Sequence, residues 1–291
     1  MEPRIVAAQH DGLRIAALDW GGDGPPLLLL HPNGFCAGLF DPLARRLREQ
    51  YRVVGVDLRG HGGSDPPATR DDYGYPRVAG DALAVIDAFG FEEVVAVGES
   101  LGGAAAILLD ELRPGVVRKM LLCEAIAFSF DPALGPVPSS ATALDDGGNF
   151  MSATARRRRR VWPDRPAVLA SYARRPPLDV LEPDALAGYV RWGFRDRPDG
   201  EIELACDPEV EATFYEIGGS PDGALRAFAH LPSLSVPATV VCADGSNLGV
   251  ARFEQQAKAA GAPLVVLPGS HLFLQEDSAR AEALVLEHLT W

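Results

Sequence analysis

The sequence predicts an α/β protein in which a mostly parallel, doubly wound sheet is interrupted by an inserted helical cap. Three observations carry that expectation. Apolar runs without alternation recur at 26–30, 52–56, 94–97, 120–123, 238–242 and 264–267, as suits strands buried on both faces of a parallel sheet. Helical stretches at 39–49, 77–89, 101–112, 250–260 and 279–289 fall between and after them. This βαβα rhythm places a binding site at the carboxyl ends of the strands. The rhythm then stops from 129 to 230, a gap too long for a loop.

At the start of the chain, Leu13, Ile15 and Ala17 alternate with Arg14, Ala16 and Leu18 behind an Asp11-Gly12 turn signal. An antiparallel hairpin is therefore expected to open the fold. The core is assigned to 1–128 and 231–291, and the cap to 129–230. The cap begins with the Pro/Gly/Ser-rich DPALGPVPSS at 131–140 and continues with helical patches at 165–175, 184–194 and 208–217. It is expected to cover the carboxyl edge of the sheet, wall a pocket and exclude water. Its aromatic residues, Trp162, Tyr172, Tyr189, Trp192, Phe194, Phe214 and Tyr215, either line that pocket or form the cap's own core. The five arginines at 156–160, read as helical, would point in all directions. They are expected to form a solvated helix with some cap-to-core ion pairing, with attraction of an anionic substrate as the functional alternative.

With 291 residues, 47% hydrophobic and 23% charged, the chain has the composition of a globular protein with a sizeable core. No apolar run approaches the roughly 18 residues needed to cross a bilayer. The opening MEPRIVAAQHDG shows no secretory-signal pattern, so a cytoplasmic location and no membrane insertion are expected. A net charge of −13 argues against nucleic acid as a partner, because phosphate binding needs a basic face. The four cysteines, Cys36, Cys123, Cys206 and Cys242, form neither a C-x-x-C pair nor a compact disulfide framework. No His/Cys/Asp/Glu group has metal-ligand spacing, and the glycine-rich elements lack nucleotide-binding patterns. No cofactor is expected, and nothing in the sequence reports oligomeric state.

The chemistry is concentrated in VVAVGESLGG. Gly98-Glu99-Ser100-Leu101-Gly102 fits the G-x-S-x-G nucleophile elbow, with an apolar strand before it and a helix after it. Such a turn holds the serine in a strained conformation with its hydroxyl exposed, and the flanking glycines let strand and helix cross closely. A serine hydroxyl is a weak nucleophile at neutral pH and needs a base. His271, in LPGSHLFLQED after the last apolar run, can lean over the carboxyl edge toward Ser100. His10, His61, His230 and His288 are less well placed, and His31 is expected to support the adjacent loop.

Taken with HPNGF at 31–35 and VDLRGHGGSD at 56–65, these segments resemble the α/β-hydrolase fold superfamily, of the capped serine-hydrolase type. The resemblance covers essentially the whole core. It implies a Ser-acid-His triad, acyl transfer through a covalent acyl-enzyme and no cofactor. It also implies an oxyanion hole made by the backbone N–H of Leu101 and a donor from the loop after His31, where Asn33 occupies the donor position. Gly34 is expected to give that loop room to turn.

The third triad member departs from the common pattern. Most relatives carry the acid in the loop after the strand at 238–242, which here reads Ala243-Asp244-Gly245-Ser246-Asn247. The usual positions hold Ser246 or Asn247, and Asp244 comes one or two residues early. Glu124, at the end of the strand after the elbow helix, is the alternative, and some lactonases and haloalkane dehalogenases of the superfamily place their acid there. Glu124 is preferred over Asp244. Asp57 and Asp65 are expected to stabilise the turn between them, and Glu99 to hold the elbow.

The expected activity is hydrolysis of a carboxylic ester or lactone with an apolar acyl or alcohol part. Serine at position 100 argues against dehalogenase and epoxide hydrolase chemistry, for which relatives use aspartate there. C–C, thioester or amide hydrolysis and acyl transfer to another acceptor remain open. So does a non-catalytic ligand-binding receptor, whose sequence support is Asn247 in a position where relatives often have aspartate.

Overall fold

The architecture was obtained as a computed structural model, and residues 2–129 and 150–291 are described. Strands β1 (Arg4–His10) and β2 (Leu13–Gly21) form the expected hairpin. Asp11 and Gly12 take φ of 51° and 78° in its turn, the positive pair that a two-residue hairpin loop requires. β3 (Pro26–Leu30) leads through a short 3-10 turn at Ala37–Phe40 into α1 (Asp41–Leu47). Then follow β4 (Arg52–Val56), α2 (Tyr75–Phe89), β5 (Val94–Glu99), α3 (Leu101–Leu112) and β6 (Val117–Cys123).

Between β6 and the next sheet strand lie α4 (Phe150–Arg156), β7 (Val161–Trp162), α5 (Arg165–Tyr172), α6 (Pro183–Trp192), β8 (Phe194–Asp196), β9 (Ile202–Leu204), α7 (Pro208–Gly218) and α8 (Ala224–His230). The sheet resumes with β10 (Ala238–Ala243), α9 (Val250–Ala260), β11 (Leu264–Leu267), α10 (Phe273–Glu276) and α11 (Ser278–His288).

The eight-stranded sheet has the order β1-β2-β4-β3-β5-β6-β10-β11, antiparallel at β1, β2 and β4 and parallel from β4 to β11. The chain passes from β3 to β4 on one side and returns to β5 on the other. The carboxyl ends of β3 and β5 therefore flank the switch point at which doubly wound sheets bind ligands. β5 is buried along its whole length, and ten of the twelve residues of α3 are buried beside it. This double burial explains why both segments read as unbroken apolar runs.

Two expectations for the inserted segment are corrected. It is not purely helical, because β7, β9 and β8 form a separate three-stranded antiparallel sheet. Strands of two or three residues are too short to show alternation. The arginine run is not helical beyond its first member, since α4 ends at Arg156. Alternate arginines instead pair within the insertion, with acids of α7 and its N-cap rather than with the core. Arg156 pairs with Glu209 at 2.6 Å and Glu216 at 2.8 Å, Arg158 pairs with Glu211, and Arg160 pairs with Asp207 at 3.0 Å. Arg159 lies over the Trp162 ring. The entry at 131–140 lies outside the described residues.

Candidate active site

Ser100 joins β5 to α3 at φ 56°, ψ −116°. Among the described residues only Asp11, Ser100 and Glu124 are non-glycine with positive φ, so two of the three left-handed exceptions are predicted site residues. Strain of this kind persists where the surroundings over-determine it, and it clusters at functional sites. The surroundings here are close contacts. A Cβ at Gly98 would lie 2.5 Å from the Gly102 carbonyl oxygen, and one at Gly102 would lie 2.1 Å from that of Leu30. The Ser100 N–H donates to the Cys123 carbonyl at 3.0 Å, which ties the elbow to the end of β6.

Glu124 follows β6 at φ 49°, and its side chain is fully buried. Its carboxylate accepts three hydrogen bonds. The Ala243 N–H reaches Oε1 at 2.8 Å, and the Ser246 hydroxyl and His271 Nδ1 reach Oε2 at 2.5 Å and 2.8 Å. Since a carboxylate only accepts, His271 donates from Nδ1 and keeps Nε2 as the acceptor nitrogen. Asp244 is exposed, accepts from the Gly269 N–H at 3.3 Å and is not brought to His271. The loop at 244–247 therefore reaches Glu124, at the end of the neighbouring strand, through the Ser246 hydroxyl.

Ser100, His271, Leu101 and Asn33 line one cavity of about 350 Å³ at the carboxyl edge. Leu101 begins α3, where a backbone N–H has no intrahelical acceptor. The side-chain amide of Asn33 donates to the Glu211 carbonyl at 3.0 Å. It is thus engaged away from substrate, and any donor from Asn33 is main-chain. The Gly34 N–H donates to His61 Nε2 at 3.0 Å. Burial lowers His61 to about 4 and His31 well below the usual histidine range. As neutral rings they serve as fixed acceptors, His31 for the Leu58 N–H at 3.0 Å, and not as bases. Asp57 accepts from the Ala37 and Gly63 N–H groups at 2.8 Å each, and Asp65 from the Arg14 N–H at 2.8 Å, so both hold loops.

The rest of the wall is mostly apolar, with Phe35, Ile126, Phe128, Met151 and Phe214, and also carries Asn247 and Ser270. Among the described lining residues there is no lysine, arginine or carboxylate. The aromatic residues of the insertion divide between two tasks. Trp162, Tyr172, Tyr189 and Phe194 pack on one another, whereas Phe214 and Tyr215 face the cavity.

Glu99 acts differently from expectation. It does not brace the elbow locally but accepts from Gln275 Nε2 of α10 at 2.7 Å, linking the residue before Ser100 to the helix after His271. Burial raises it to about 8, helped by the nearby Glu124 and Glu276 carboxylates. Nothing in the sequence pattern points to this partner, nor to the contacts that Arg158, Tyr189 and Glu211 make with the Asn33-Gly34 loop. All join residues far apart in the chain. No group of three or more His, Cys, Asp or Glu able to hold a metal ion occurs among the described residues.

The sheet, the elbow and the histidine loop define a class of protein, and sequence comparison agrees. The profile of the Alpha/beta hydrolase family matches residues 27–285, and the chain belongs to that family. Several of its relatives are named as hydrolases. The 2-(acetamidomethylene)succinate hydrolase of Mesorhizobium japonicum is 26% identical over 262 residues, covering 88% of this chain and 84% of that protein. Epoxide hydrolase 4 of Mus musculus is 32% identical over 119 residues, or 40% of this chain, and the match spans 33% of that protein's length. Among solved structures, E-2-(acetamidomethylene)succinate hydrolase superposes with a TM-score of 0.79 at 21% identity, covering 98% of this chain and 99% of its own. The enol-lactonase of Burkholderia xenovorans LB400 superposes with a TM-score of 0.70 at 24% identity, covering 98% and 100%. These superpositions establish the shared fold. No helix among the described residues is long and apolar enough to cross a membrane.

Proposed function

We propose that this protein hydrolyses carboxylic esters or lactones through an acyl-enzyme on Ser100. The observation that carries the proposal is the convergence of Ser100 and His271 on one cavity, with His271 Nδ1 held 2.8 Å from the buried Glu124 carboxylate. His271 Nε2 takes the Ser100 proton as Oγ attacks the carbonyl, and Glu124 orients the ring and stabilises the imidazolium. The backbone N–H groups of Leu101 and Asn33 hold the tetrahedral oxyanion, a placement aimed at charge that develops only in the transition state. His271 then protonates the leaving alkoxide, and water repeats the sequence to release the acid.

The apolar wall supports a substrate whose non-reacting parts are uncharged. The named substrate of the 2-(acetamidomethylene)succinate hydrolases is a dicarboxylate, and the absence of a cation among the described lining residues weighs against that choice here. The enol-lactonase and the N-acyl homoserine lactone degrading enzyme Est816, which superposes with a TM-score of 0.69, support lactones as a candidate class. A serine at the elbow supports acyl transfer over epoxide opening, although the epoxide hydrolase 4 match is local. The test is hydrolysis of a short p-nitrophenyl ester and a panel of lactones. Turnover abolished by Ser100→Ala is expected. Equal inactivity of wild type and variant across the panel would overturn the proposal.

A further inference from the structure

We propose that Arg158 and Glu211 are positioning residues for the oxyanion hole, their ion pair fixing the main chain at Asn33-Gly34 from the inserted segment. The inference rests on the acyl-transfer reading above and deepens it. The Asn33-Gly34 turn belongs to the core, where His61 accepts its Gly34 N–H, yet its Gly34 carbonyl and Asn33 side-chain amide are held from outside the core. The Gly34 carbonyl accepts from Arg158 Nη1 at 3.3 Å and from the Tyr189 hydroxyl at 3.0 Å. The Asn33 side-chain amide donates to the Glu211 carbonyl. The Arg158 guanidinium pairs with the Glu211 carboxylate through Nη1 and donates to the Tyr189 hydroxyl at 2.6 Å through Nη2. Gly34 sits at φ +81°, where a Cβ would lie 2.6 Å from the Glu211 carboxyl carbon. The glycine is thus required both by its backbone conformation and by the acid packed against it.

The geometry has a mechanical consequence. Arg158 precedes β7, Glu211 lies on α7 and Tyr189 on α6, so three parts of the insertion meet at one turn. Both ionic side chains are largely buried, at 19% and 9% exposure, where a charge pair is held more tightly than at a surface. A backbone donor stabilises an oxyanion only when it is aimed within a few tenths of an ångström of the developing charge. The pair therefore couples the docking of the insertion to the aim of the Asn33 N–H. It also gives one member of the arginine run a task that attraction of an anionic substrate does not explain. Neither residue is among those that line the cavity.

The test compares wild type with Glu211→Gln, Arg158→Met and Arg158→Lys. Competent sites are counted by titration with a fluorophosphonate, so misfolded protein does not enter kcat. The expected result is a fall in kcat per titrated site of roughly 10- to 100-fold in Glu211→Gln and Arg158→Met, less than the 10²–10³-fold typical of deleting a donor outright. KM should change little, and Arg158→Lys should recover part of the loss. Affinity for a trifluoromethyl ketone, which forms the tetrahedral adduct, should fall in proportion to kcat/KM, while affinity for the alcohol product should not. A purely structural role would reduce the number of titratable sites and leave kcat per site intact, which would overturn the inference. A loss confined to KM would overturn it as well. If wild type itself neither reacts with the fluorophosphonate nor turns over esters and lactones, the acyl-transfer reading fails and this inference falls with it. A wild type that does both, beside unaffected variants, removes this inference alone.

Discussion

His271 Nδ1 lies 2.8 Å from Oε2 of Glu124, a carboxylate at the end of β6 that also accepts from Ser246 and the main chain of Ala243. In the proposed mechanism that contact makes Glu124, on the strand after the elbow helix, the orienting acid. The loop at 244–247 contributes through Ser246 instead.

Replacing Glu124 by Gln keeps the shape but lets the side chain present an amide N–H to His271, which favours the wrong tautomer and leaves the imidazolium without its counter-charge. A loss of turnover on the order of 10³–10⁴-fold is expected, by analogy with amide-for-acid replacement in serine proteases. Asp244→Asn should leave turnover near wild type. Steady-state kinetics on both variants check the assignment, and the opposite ranking would move the acid to Asp244.

Gly102→Ala should destabilise the fold and not merely slow the chemistry, because the added Cβ would meet the Leu30 carbonyl oxygen at 2.1 Å. Relief requires moving α3 off β3, two elements packed in the core. A loss of a few kcal/mol is expected, read as a lowered unfolding midpoint in urea. An unchanged midpoint would mean that strand and helix are less tightly crossed than the structure gives.

Glu99 supplies a pH prediction. Its folded value is raised to about 8, from 4.5 when unfolded, so between those values the folded state binds the extra proton. Stability from this group is fully present below about 4.5 and is lost as pH rises through about 8. Glu99→Gln removes the titration, and the difference in Tm between variant and wild type should grow in the variant's favour from pH 5 to pH 9. Subtracting the two curves cancels groups common to both, including Asp57, which burial raises to about 6, and His61. Parallel curves would contradict the buried neutral acid.

Much of this was legible because it is local. β5, the elbow and α3 are contiguous, and their apolar runs and flanking glycines follow directly from burial on both sides and close crossing. Glu124 was legible because it ends an apolar strand at the sheet edge, where some families that this chain resembles place their acid. The contacts that were not legible join distant residues. Arg158 meets Glu211 across 53 positions and Ser246 meets Glu124 across 122, and no periodicity encodes such pairs. The arginine run misled for a related reason. Composition suggested a solvated helix, whereas the helix ends at Arg156 in a turn, after which Arg158 and Arg160 meet acids at the start of α7.

The central claim is that Ser100 is an activated nucleophile, and covalent labelling tests it most directly. Incubation with a fluorophosphonate should give one adduct per chain, mapped by peptide mass to Ser100, at a rate strongly reduced in His271→Ala and absent in Ser100→Ala. An unlabelled wild-type chain, or an adduct mapped to another residue, would contradict the account.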